Sequence, residues 1–247
     1  MTETFLVLLA AGVMLAAVIS DPKEVTINWL RLAGIVALAL AALSVYFFSR
    51  RGEARQGQWV LYCILFFSIL GQIGGIHLPV AAIGRPFALA ATVGGVILGA
   101  RLAVADARGV ALVSSGGIAA MSGIALMDML LGHAYLTASR MTMRPFVRLH
   151  LALAAATALR AVCAIAIAML MLHWRPIELF WDRFGLFVIT RWLVGLAVPG
   201  IFIYMAYDCI RRRATQSATG ILYVAGILIF IGEIISLYLL RETRLPF

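Results

Sequence analysis

The 247-residue chain is 64% hydrophobic, with a mean hydropathy of +1.03, where soluble domains are roughly 45–50% apolar. A soluble fold cannot hide that much apolar surface, and at about 20 residues per crossing some seven to nine spans use up the length and leave no room for a soluble domain. The basic excess, 20 Lys+Arg against 11 Asp+Glu, would suggest nucleic acid in a soluble protein. Here the arginines cap hydrophobic runs beside lipid phosphates, so lipid is the expected partner and nucleic acid is not.

The expected fold class is all-α, a polytopic transmembrane helix bundle of about eight spans forming a single domain over residues 1–247. Apolar runs between charged punctuation place the spans at about 4–20, 28–49, 58–81, 86–106, 109–132, 147–172, 184–209 and 218–240. The first run follows Thr2-Glu3-Thr4 and lacks the Lys or Arg that opens a signal peptide, so it reads as a retained helix. Connections are marked by Asp21-Pro22, the charged run Arg50 to Arg55, Gly84-Arg85-Pro86, Arg175-Pro176 and Arg211-Arg212-Arg213. Trp29, Trp59, Trp174 and Trp181 sit near span ends, as an interfacial belt requires, and Trp192 lies deeper. Cationic residues divide evenly between alternate loops and leave the orientation open. We therefore label the faces X and Y, with the connections after spans three, five and seven on X.

Spans four and five carry small-residue stripes, Gly95 and Gly99 in the first and Ser115, Gly116, Ala119, Ala120 and Gly123 in the second, suited to close helix approach. Cys63, Cys163 and Cys209 have no metal or haem-attachment spacing. No internal repeat supports an inverted-repeat transporter.

Ionisable residues at membrane depth are costly and need a partner, a cavity or a ligand. Alternating helix direction brings His77, His133 and His150 to the X side, with Asp128 and Tyr135 close by and Arg144 and Arg148 following. A quinone site asks for a histidine or tyrosine to hydrogen-bond a carbonyl oxygen and a carboxylate to exchange the proton. A non-covalent haem b asks for two imidazoles at matched depth, which His77 with His150 or His133 would satisfy. Hydrogen bonding to surface loops, or contact of the arginines with lipid headgroups, accounts for the same residues without a ligand. Nearer face Y, Arg160, Arg191 and Glu233 form a second candidate set: a structural ion-pair cluster, a proton relay or a fixed charge beside a redox centre.

In its eight-helix layout, the polar histidine-bearing turn near His133 and the stretch Gly232-Glu233-Ile234-Ile235-Ser236-Leu237-Tyr238, the chain resembles the polytopic membrane anchor subunits of respiratory molybdenum oxidoreductases, of the dimethyl sulfoxide reductase and polysulfide reductase type. The resemblance implies a haem-free or haem-poor anchor that exchanges electrons between the quinone pool and an iron–sulfur or cytochrome subunit. Among single residues it extends to Glu233 alone. The expected function is therefore a quinone-interacting subunit of an electron-transfer complex in a bacterial inner membrane. The alternatives are a permease using Arg160, Arg191 and Glu233, or a cofactor-free scaffold.

Overall fold

The computed structural model describes residues 1–50, 56–76, 84–104, 108–137, 142–174 and 177–245, with the backbone alone at 56, 108, 137, 170–174 and 177–180. Among the described residues there are helices and no strands. In chain order they are α1 (Thr2–Ile19), α2 (Ile27–Ser49), α3 (Gln56–Gly75), α4 (Gly84–Ala103), α5 (Arg108–Thr137), α6 (Arg144–Trp174), α7 (Ile177–Trp192), a π-helical turn at Leu193–Ala197, α8 (Val198–Arg211) and α9 (Thr215–Thr243). Among the described residues eight stretches are long and apolar enough to cross a membrane, the seventh running through α7, the π turn and α8. The protein is an all-α polytopic bundle, and side chains such as Phe67, Leu186 and Tyr204, each more than 70% exposed, face the lipid.

Two helices form the centre. The buried share is 67% for the first span and 61% for the fifth, well above the rest. α1 packs on α2, α4 and α5, and α5 also packs on α6 and α9. The small residues of α1 make this possible. A Cβ added to Gly12 would lie 2.8 Å from the Cα of Gly123, and one added to Gly95 would lie 2.8 Å from the Cβ of Ala11. Gly95 and Gly99 of the fourth span and Ala119 and Gly123 of the fifth thus close on the first helix, where backbone approach replaces the hydrophobic drive that lipid does not supply. By contrast α6 touches chiefly α5 and α8, and its alanine-rich surface leaves a groove on either side.

Local chemistry explains the ends. Thr26 caps α2 by accepting the N–H of Trp29 at 3.3 Å. Trp29 is buried, 2% exposed, Trp59 and Trp181 are exposed, and the Trp174 side chain lies outside the described residues. Arg213 adopts a left-handed φ of 59°. The N–H of Ala214 then reaches Cys209 O at 2.9 Å and the N–H of Arg213 reaches Ile210 O at 3.1 Å, closing α8 and turning the chain into α9. Hydroxyls in the spans bond their own helix four residues back, as Thr92 does to Ala88 O and Thr157 to Leu153 O, both at 2.9 Å.

The span limits differ most from the sequence reading in the fifth and third spans. The fifth span continues to Thr137 instead of ending near 132, because Tyr135 stacks on Phe146 at 5.2 Å and bonds Thr142 O, which keeps that polar turn helical. The third helix ends at Gly75, and residues 77–83 lie outside the described residues. The seventh span carries the π turn just before Pro199.

Candidate functional site

Asp128 of α5 and His150 of α6 meet on the X side of the bundle. Both are fully enclosed, at 0% and 1% exposure, and His150 Nδ1 lies 2.7 Å from Asp128 Oδ2. The other ring nitrogen, Nε2, lies 2.9 Å from the carbonyl oxygen of Ile203 in α8. A carbonyl only accepts, so Nε2 carries a proton and donates it to Ile203. Nδ1 and Asp128 Oδ2 then hold one further proton between them, as imidazolium with carboxylate or as imidazole with carboxylic acid. Asp128 Oδ1 is buried with no hydrogen-bond partner among the described residues. Three helices are thereby joined through one imidazole, in a form able to give up a proton.

Open space lies beside His150. A cavity of about 410 Å³ between α6 and α8 is lined by His150, Thr157, Gly200, Ile203, Tyr204 and Tyr207. Exposed Leu151 and Tyr204 flank it on the lipid side. The Tyr207 ring lies parallel to that of His150, 9° between planes and 6.2 Å between centres, with the guanidinium of Arg211 over the Tyr207 ring at 5.9 Å.

Arg160, Arg191 and Glu233 form the second cluster. Arg160 donates to Glu233 through Nε at 3.3 Å and Nη2 at 2.7 Å, and Nη2 also reaches Ser236 Oγ at 2.7 Å. Arg191 Nη2 reaches the same carboxylate at 2.9 Å. The local sequence makes room for this. Pro199 has no N–H to give the Gly195 carbonyl one turn back, and Arg191 Nη1 approaches that oxygen at 3.3 Å. Gly195 and Gly232 leave the slot in which the guanidinium lies, since a Cβ at Gly195 would sit 2.6 Å from Gly232 Cα and 2.8 Å from Arg191 Nη1. Arg191 and Glu233 are 0% exposed. Arg160 borders a groove of about 450 Å³ between α5 and α6 floored by Gly116, Gly117 and Ala120. The cluster's geometry clasps α6, α7 and α9 together.

The remaining candidates do not join these sets. His77 lies outside the described residues. His133 is exposed; five residues beyond Asp128, it is turned about 140° round the helix from it. Tyr135 bonds the backbone of Thr142, Arg144 is exposed, and Arg148 makes an ion pair with Glu24 at 3.2 Å without hydrogen-bond geometry. The expected convergence of three histidines is thus reduced, among the described residues, to one histidine with Asp128. Tyr204, Tyr207 and the Ile203 carbonyl were not singled out from the sequence, although Gly200, Tyr204 and Tyr207, spaced four and three apart, share a helix face.

Haem fits this arrangement poorly. An axial ligand must turn a nitrogen lone pair to iron, and both nitrogens of His150 are engaged by protein atoms. No group of three or more His, Cys, Asp or Glu suited to a metal ion occurs among the described residues. Compared with protein-family models, curated protein sequences and solved structures, the chain has no match.

Proposed function

We propose that this chain is the quinone-interacting membrane subunit of an electron-transfer complex, with the headgroup held in the cavity between α6 and α8. The observation that carries the reading is that His150, which shares a proton with Asp128, is among the residues lining an apolar cavity flanked by lipid-facing residues. A quinone would bring two-electron carbonyl chemistry. The electrons would come from, or go to, an iron–sulfur or cytochrome partner, and the membrane would be a bacterial inner membrane.

The chain's own part is binding and proton handling. His150 Nε2–H would turn from the Ile203 carbonyl to a headgroup oxygen, while Nδ1 takes the proton it shares with Asp128. One proton leaves through Nε2 as the other settles on Nδ1, so the imidazole relays and Asp128 supplies. Tyr207 flanks the headgroup, and the apolar wall of α6 excludes water.

A permease built on Arg160, Arg191 and Glu233 would need those charges to face a path, yet two of the three are sealed.

The test is extraction of quinone from protein purified gently with its partners, together with titration of a short-chain quinone. Wild type should retain stoichiometric quinone. His150→Leu should weaken binding by about 1–3 kcal/mol, roughly five- to 150-fold, with unchanged helical circular dichroism. Equal quinone in both proteins, or reduced-minus-oxidised haem bands that vanish in His150→Leu, would overturn the proposal.

A further inference from the structure

The proton shared by Asp128 and His150 is also a mechanical part. In the structure His150 makes two hydrogen bonds, to a carboxyl oxygen on one side and to a carbonyl on the other. Both are satisfied only while the pair holds two protons in all, one on Nε2 and one between Nδ1 and Oδ2. Removing one proton leaves a single imidazole proton for two acceptors. With that proton on Nε2, the Nδ1 lone pair faces a carboxylate at 2.7 Å; with it on Nδ1, the Nε2 lone pair faces the Ile203 oxygen at 2.9 Å. Charge-assisted bonds are roughly twice as strong as neutral ones. The remaining proton therefore goes to Nδ1, beside the carboxylate, and the Ile203 contact becomes repulsive.

Ile203 sits where its release matters. It lies in α8, which follows the π turn at Leu193–Ala197 and carries Pro199-Gly200 in its first turn, and π turns and prolines are the places where helices bend. The same helix supplies Gly200, Ile203, Tyr204 and Tyr207 to the cavity wall. The helix facing it across the cavity, α6, packs mainly on α5 and is held to α9 through Arg160 and Glu233.

We propose that the protonation state of the Asp128–His150 pair sets the width of the cavity: with the pair fully protonated, His150 pins α8 to α6, and loss of one proton releases α8 about the π turn. The inference deepens the proposed site by giving it a regulation, in which a ligand that takes a proton from Nε2 also loosens its own pocket. Proton balance is simple. An N–H bond at His150 breaks, the acceptor gains the proton, and the proton shared with Asp128 becomes a Nδ1–H bond; no electrons move within the pair.

Several other titratable or charged groups surround the pair. Tyr207 of α8 stacks on His150 with Arg211 beyond it. On α6, Arg148 pairs with Glu24 of the α1–α2 link, and Arg160 pairs with Glu233 of α9. His133 and Tyr135 lie at the end of α5. Among the described residues Asp128 and Ile203 are the hydrogen-bond partners of His150.

The experiment needs no quinone, so its failure is distinguishable from failure of the quinone reading. Protein in lipid bilayers, with Cys63, Cys163 and Cys209 replaced by alanine, carries spin labels at Val162→Cys on α6 and Met205→Cys on α8, both lipid-facing positions. The inter-label distance is followed from about pH 5 to about pH 10, a range spanning and exceeding ordinary imidazole titration. Nitrogen-15 spectra of histidine-labelled protein, assigned with His150→Gln, report which ring nitrogen is protonated. Wild type should pass from Nε2-protonated to Nδ1-only as the pH rises, with a longer, broader distance in the same titration. In Asp128→Asn the amide donates permanently to Nδ1, so Nε2–H and the short distance should persist at every pH. His150→Gln should be broad throughout. A change of tautomer without movement overturns the proposal. So does movement that persists in Asp128→Asn, or a wild type unchanged in both readouts up to about pH 10.

Discussion

Glu233 shows what a buried charge is worth in this protein. Two guanidiniums are held to its carboxylate at 2.7–3.3 Å, with Arg191 and Glu233 fully enclosed. Removing one partner of such a set leaves unpaired charge in the interior, at a cost of about 3–5 kcal/mol. Glu233→Gln should therefore lower the thermal unfolding midpoint in detergent sharply. Asp208→Asn is the contrast, since Asp208 pairs with Arg212 at 2.9 Å on an exposed helix end, 53% and 75% accessible, where pairs contribute about 0–1 kcal/mol. Equal midpoint shifts in the two variants would mean that the cluster does not brace the fold.

Among the elements, α1 and α5 approach through glycine, and that contact is specific to position. Gly123 faces the backbone of Gly12, so Gly123→Val has no room and should cost several kcal/mol or prevent assembly, in line with the large effects of overpacking. Gly116, on the same helix, has nothing within 4 Å of an added Cβ. Gly116→Ala should be neutral or stabilising by up to about 1 kcal/mol through helix propensity. Thermal melts of both variants check this, and similar losses would contradict the packing described. The two glycines are seven residues apart, and the sequence marks both as small. Their difference arises because one faces α1 and the other borders the groove beside Arg160.

For the whole molecule, eight crossings make a definite statement about sidedness. Lys23, in the first connection, and Arg212, in the connection between α8 and α9, should lie on one face, with Arg50 on the other. Single cysteines at these three positions in a cysteine-free background, probed with a membrane-impermeant maleimide on vesicles of both orientations, should label in that pattern. Arg50 labelling together with Lys23 would remove one crossing from the count. What the sequence determined by itself was class and depth. The apolar runs are long enough that lipid leaves helices as their only form, and a charge within such a run must find company, as Arg160, Arg191, Glu233, Asp128 and His150 do. Which company each one keeps was decided by tertiary structure. His133 and His150 are equally polar and lie close to the same face, but helix rotation turns one outward and buries the other against Asp128. Tyr207 gained its place beside His150, and Ile203 its role as acceptor, from how α8 lies against α6. Those choices depend on rotation about helix axes and on backbone distances between helices far apart in the chain, which residue spacing within one helix does not encode.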